Sequence, residues 1–290
     1  MPLPLIISRL TNLLFFIQKT DQQYLVEFNL QKYLADENFN LFYYGKTENK
    51  IWEQIGQSIG KENTKQFQKA VASLESIFTP HWRKASEHLF LWKKYFQSNQ
   101  SLLQQIISDI GKLSGVEKFN IYKVPIYLVS DPLSRDKEIN AWFSWTPKES
   151  FIVIEIPFGL KVPNNFFPLS VLAHEFFHLV LRKNKNLLLK ITEVAKENEK
   201  LFTKLGEGMP NRIFLEELLI SSFIPEGYLS EKYLNTKIVP YTSKLKDLLR
   251  WRRFVAFKLY QTAKRYVNNA QQIDEKYLKR LIGIIRQNAK

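Results

Sequence analysis

The stretch PLSVLAHEFFHLVL, Pro168 to Leu181, decides how this chain is read. Its only ionisable residues are His174, Glu175 and His178, and the rest is apolar on nearly every side, so the spacing predicts a buried helix over 168 to about 183. On a helix, residues four apart are rotated by only about 40° and separated by about 6 Å, so His174 and His178 project from one face and can meet a single ion. Glu175 lies one position round from His174. Its carboxylate can reach a water on that ion and take the proton as general base. A chain of this length with four histidines meets the pattern His-Glu-x-x-His by chance roughly a few times in a thousand. Buried ionisable groups, moreover, need partners or a metal.

Composition limits what else the chain can be. At 290 residues, 45% hydrophobic and 14% aromatic, it can bury a core large enough for one large or two modest domains. Cysteine is absent. Disulfides and thiolate ligands are therefore excluded, and any metal site must use histidines and carboxylates. The net charge of +14 permits anionic partners without specifying a fold. Residues 241–290 hold thirteen lysines and arginines against Asp247, Asp274 and Glu275, so most of that charge lies in the last fifty residues.

Along the chain, residues 1 to about 115 read as helices: TNLLFFIQ, IWEQIGQSIG, FQKAVASLESIF and HLFLWKKYF carry apolar residues near helical spacing, with Thr79-Pro80 as a helix start. The N-terminal run PLPLIISRLTNLLFFIQK is interrupted by Ser8, Arg9, Thr11 and Asn12 and lacks the flanks of an export signal. It is too short and broken to span a bilayer. An amphipathic first helix and a cytoplasmic setting are expected. From about 120, IYKVPIYLV, AWFSW and FIVIEIPF predict three strands, the last two forming a hairpin. Helices are expected over 187–205 and 211–224 as well, and the final fifty residues read as basic helices. The expected fold is α+β and helix-rich, with a small mixed or antiparallel sheet, a helical N-terminal region at 1–118, a core at 119–240 and a basic helical C-terminal region at 241–290.

At HEFFH the sequence resembles the zincin metallopeptidases, whose hallmark is His-Glu-x-x-His on a helix behind a mixed or antiparallel sheet. The subfamily with a third histidine fits poorly, because Leu181 stands at its glycine position and Asn184 at its last histidine. A gluzincin-like arrangement fits better, and it implies one Zn²⁺ per chain with a third ligand from a glutamate on a later helix. Glu197 has a familiar spacing but lies among solvated lysines and glutamates. Glu216 and Glu217 lie in the apolar helix RIFLEELLISSFIP. Glu217 is preferred because Ser221 follows one turn later, matching the small or polar residue relatives carry there; the other glutamate would then be a surface charge.

The same resemblance implies hydrolysis of peptide or related amide bonds, with His174, His178 and Glu217 on the metal and Glu175 as base and then acid. Substrate would lie along an edge strand, for which FIVIEIP with Glu155 is the candidate. Tyr228 or Tyr233 would serve the oxyanion. His81 and His88, seven apart, read as structural. Trp142 and Trp145 read as packing residues. A rival reading is a non-catalytic zinc-containing protein that binds nucleic acid or an anionic membrane surface through KLKDLLRWRRFVAFKLYQTAKRY, although no recognised nucleic-acid motif is present. In that run Leu245, Leu248, Leu249, Val255 and Leu259 fall close to helical spacing.

Overall fold

The N-terminal run folds as strand β1 (Leu5–Ile6) and helix α1 (Arg9–Thr20) in a computed structural model that describes residues 2–20, 47–134, 138–146, 149–206, 208–238, 240–241 and 247–289. The polar residues that interrupt its apolar pattern tie it down. Ser8 Oγ accepts from Thr11 N at 3.2 Å at the start of the helix, and Arg9 pairs with Glu75. Asn12, buried, donates to Leu128 O and accepts from Ser130 N at 2.9 Å, so its amide stands in for a strand partner. Leu13, Leu14, Phe15 and Ile17 meanwhile pack with Phe67, Phe78, Tyr127 and Phe151. No described helix is long and apolar enough to cross a membrane.

By contact the chain separates into two compact units, residues 1–98 with 122–163 and residues 99–121 with 164–290. Each unit draws on separated stretches of sequence. In the first, α1 is followed by α2 (Glu48–Ile59), α3 (Lys61–Ser73) and α4 (Glu75–Ser98). Thr79-Pro80 is not a helix start. The helix begins at Glu75, and Pro80 sits inside it at the sixth position, where it forfeits only the bond to Ser76 O. The buried face Phe78, Ala85, Leu89, Trp92 and Phe96 outweighs that loss. The His81 ring packs at a tilt against Phe16, Phe78 and Phe158, and His88 meets Leu160 O, so both have structural contacts in this unit.

The three expected strands form: β2 (Ile126–Asp131), β3 (Asn140–Trp145) and β4 (Ser150–Pro157). The sheet runs β1-β2-β4-β3, with β1 and β4 parallel to β2 and with β3 antiparallel to β4, Ala141 opposite Ile154. FIVIEIP is therefore not an edge. It has a partner on each side, which is why it reads as a continuous apolar run instead of an alternating one. Glu155 is likewise no solvent-side carboxylate: it accepts from Trp142 Nε1 at 2.9 Å and pairs with Lys19 at 3.3 Å. Trp142 thus has a polar engagement besides packing edge-on against Phe151.

The second unit is all helical among the described residues: α5 (Gln100–Leu113), α6 (Phe167–Leu181), α7 (Lys185–Glu197), α8 (Glu199–Leu205), α9 (Asn211–Ser221), α10 (Tyr228–Leu234), α11 (Leu248–Asn268) and α12 (Glu275–Asn288). The helix expected over 187–205 breaks at Asn198, whose Oδ1 takes the Arg286 guanidinium at 2.7 Å. The basic run folds as the packed helix expected, but its buried face is Trp251, Phe254, Val255 and Leu259, while Leu249 is exposed. Leu245, Lys244, Lys246 and Lys290 lie outside the described residues.

Asp109, 6% exposed on α5, ties that helix to α10 by accepting from Lys232 Nζ and Tyr233 Oη, both at 2.7 Å. Burial alone would raise its pKa, but Lys232, Tyr233 and Lys112 outweigh burial and hold it below the ordinary value. A depressed folded-state pKa contributes stability above the unfolded-state pKa and loses it as pH falls through the folded value. Asp109→Asn is expected to cost about 1–3 kcal/mol at neutral pH in urea denaturation. The gap from wild type should shrink as the pH falls below about 4. A gap independent of pH would refute this role.

Candidate metal centre

Helix α6 has little to stop it from being buried: Pro168 pre-sets its first turn, Asn165 Oδ1 accepts from Phe167 N at 3.1 Å, and residues 172–181 are all buried. It packs against α5 and α9, and α9 packs in turn against α7 and α11. That layering brings α6, α9 and α11 to one centre. Here His174, His178 and Glu217 form a group able to hold a metal ion.

The geometry suits a small tetrahedral ion. His174 Nε2 lies 3.1 Å from His178 Nε2 and 3.2 Å from Glu217 Oε2, and His178 Nε2 lies 3.0 Å from Glu217 Oε1. An ion with bonds of about 2.0–2.1 Å spaces its ligand atoms about 3.3 Å apart. The opposite ring nitrogens explain why these three face one another. His174 Nδ1 donates to Ile224 O at 3.2 Å, and His178 Nδ1 donates to Glu216 Oε1 at 2.6 Å. Each Nε2 therefore turns a lone pair inward, where a third acceptor, the Glu217 carboxylate, already points. Three acceptors at this distance repel unless a cation lies among them.

The pKa shifts express the same deficit. Burial works against a charged His178, yet Glu216 and Glu217 prevail and raise its pKa to about 10. Burial would raise Glu217, but the two histidines hold it well below the ordinary carboxylate range. A proton and a metal ion are thus alternative answers to one demand for positive charge.

Glu216 is the residue the sequence reading misplaces. It is no surface charge but is fully buried, 0% exposed, and accepts from His178, from Arg182 Nη1 at 2.8 Å and from Arg212 Nη1 at 3.3 Å. Burial would raise its pKa, but His178 and Arg182 hold it down. It orients His178 while its neighbour Glu217 faces the ligand position. Adjacent residues on a helix point about 100° apart, so the pair Glu216-Glu217 serves two roles from one turn. Arg182 falls four residues after His178, on the face shared by both histidines, and that spacing was a usable signal.

Glu175 is 7% exposed and makes no side-chain hydrogen bond to another described residue. Burial raises its pKa, with Glu217 reinforcing and His174, His178 and Arg252 opposing. Of the other candidates, Glu197 is exposed on α7. Tyr228 donates to Asn268 Oδ1 at 3.1 Å, and Tyr233 donates to Asp109. Both hydroxyls thus have partners outside the ligand group. Arg252 of α11 approaches that group, with Nη1 3.6 Å from Glu217 Oε2. In the sequence alone it is one residue of a basic run.

Elemental mass spectrometry of the purified chain, reconstituted with a divalent ion, is expected to give about one ion per chain, abolished by His174→Ala with His178→Ala. Glu216→Gln should keep the fold and weaken metal binding by about 10- to 100-fold, because the acceptor that orients His178 loses its charge. Unchanged affinity in Glu216→Gln would remove its positioning role. Comparison of the chain with protein-family models, with curated proteins and with solved structures finds no match in any of the three.

Proposed function

We propose that the protein is a zinc-dependent hydrolase of peptide or related amide bonds, of the gluzincin type that HEFFH resembles. The observation that carries the reading is the pairing of two things at one centre: a ligand group from α6 and α9 with inward lone pairs, and the Glu175 carboxylate beside it without a hydrogen-bonded partner among the described residues. A buried metal site that served only structure would be closed by its ligands. Three protein ligands leave a position open, and Glu175 stands next to them.

His174, His178 and Glu217 would hold the ion. When bound, it polarises the substrate carbonyl and lowers the pKa of a coordinated water. The remaining chemistry belongs to the chain. Glu175 accepts the proton of the attacking water. It then returns that proton to the leaving nitrogen. Glu216 and Ile224 O keep both imidazoles in the tautomer the ligand role needs.

The alternative, a non-catalytic metal protein that holds nucleic acid or an anionic membrane surface, draws support from charge alone. It predicts steeply salt-dependent binding of DNA, RNA or anionic vesicles.

Glu175→Gln discriminates. It is expected to retain one metal ion per chain and to lose cleavage of a quenched-fluorescent peptide library by at least about a hundredfold. Full activity in that variant would overturn the mechanism, and a wild type that takes up metal but cleaves nothing would favour the binding protein.

A further inference from the structure

The oxyanion that amide hydrolysis generates needs a hydrogen-bond donor, and the two tyrosines suggested by the sequence are engaged elsewhere, by Asn268 and Asp109. Arg252 is only partly engaged. Its Nη2 lies 3.2 and 3.3 Å from the two oxygens of Glu226, which anchors one corner of the guanidinium. Its Nη1 points at the ligand group but stops 3.6 Å from Glu217 Oε2, an ion pair too long to be a hydrogen bond. Its Nε is buried and has no hydrogen-bond partner among the described residues. A buried donor without an acceptor forfeits its hydration for nothing, so Nε leaves the guanidinium short of one acceptor, while Nη1, beside the ligand group, has only the long ion pair with Glu217.

The backbone beneath this side chain is well fixed. Asp247 caps α11 by accepting from Arg250 N at 2.9 Å, and Trp251, Phe254 and Val255 are buried on either side of Arg252 in the chain. Glu226 comes from the turn between α9 and α10, where Gly227 passes so close to Ser222 O that an added Cβ would sit 2.1 Å from it. The turn that anchors Arg252 also carries Ile224, the partner of His174. One short segment therefore sets both a metal-ligand orientation and the arginine.

We propose that Arg252 is the donor that holds the tetrahedral oxyanion of the substrate, which makes it a catalytic residue of the reaction above; the inference rests on the hydrolase reading. As the water oxygen bonds to the acyl carbon, the carbonyl π pair moves onto the carbonyl oxygen and the water's proton passes to Glu175. When the C–N bond breaks, that electron pair returns to re-form the carbonyl, and Glu175 protonates the nitrogen. The negative charge that appears and disappears on the oxygen is met by Nη1–H of a guanidinium whose Nη2 is already held by Glu226. A lysine supplies only a point charge on a flexible stem and reproduces this in part.

The test uses the full chain loaded with Co²⁺, whose visible spectrum reports its ligands, titrated with methylphosphonate as a tetrahedral anionic mimic of the intermediate. Arg252→Met should leave Co²⁺ uptake and the starting spectrum as in wild type and weaken methylphosphonate by about 10- to 100-fold. Arg252→Lys, the gentler change should Arg252→Met fail to fold, should fall between them. In the peptide assay both variants should lower kcat with KM nearly unchanged, the pattern of a contact made only in the transition state. Equal methylphosphonate affinity in wild type and both variants, or no methylphosphonate binding to Co²⁺-loaded wild type, overturns the role of Arg252 while leaving the metal site standing. Failure of wild type to take up Co²⁺ overturns the underlying reading instead.

Discussion

Two imidazole lone pairs and a carboxylate meet within 3.2 Å of one another in a nearly water-free place, and the centre of the second unit depends on how that repulsion is relieved. With both rings neutral, the carboxylates of Glu175, Glu216, Glu217 and Glu226 face the guanidiniums of Arg182, Arg212 and Arg252, which leaves one negative charge uncompensated. A divalent ion reverses that balance, and a proton on His178 cancels it. The hydrogen bonds at the two Nδ1 atoms make the demand specific, because they turn both lone pairs toward the same point.

Adjacent glutamates on α9 show how little sequence this takes. Glu217 reaches the ligand position from one face, and Glu216, one residue earlier and about 100° round the helix, turns toward α6, where His178 and Arg182 lie a turn apart. Neither glutamate works without the packing of α9 against α6. The apolar remainder of both helices supplies that packing: Leu172, Phe176 and Leu179 on one, Phe214, Leu215 and Leu218 on the other are buried. The hydrophobic effect is non-directional, so it presses the helices together; the charges select the register in which they rest.

How much of this was legible follows from the range of each interaction. His174, Glu175 and His178 were readable because their relationship lies within one helix, where periodicity fixes direction. The three strands were readable for the same reason. Their order was not: FIVIEIP looks alike as a central strand or as a strand edge-on to a ligand, and only the pairing with both β2 and β3 distinguishes them. Pro80 and Asn198 misled in opposite senses. A proline usually marks a helix start, but here the buried face of α4 outweighed one lost bond; an asparagine in a long amphipathic run reads as tolerable, but Arg286, 88 residues on, holds it as a break. Choosing Glu217 over Glu216 rested on the residue one turn later. The true discriminator, the Arg182 and Arg212 guanidiniums around Glu216, needed the fold.

Arg252 carries the lesson furthest. Counted along the chain it is one of thirteen basic residues near the C-terminus, and such a run invites an anionic partner spread over a surface. In the fold those charges divide. Arg286 binds Asn198, Arg250 and Lys279 pair with Asp247 and Glu275 on their own helices, and Arg252 turns toward Glu217 and Glu226. Stability does not call for that last arrangement, since replacing a buried ion-pair cluster by well-packed apolar residues is often neutral or favourable. A folded core that keeps two histidines, four glutamates and three arginines close together, where apolar residues would serve stability as well, has the make-up that the proposed ion-binding role requires.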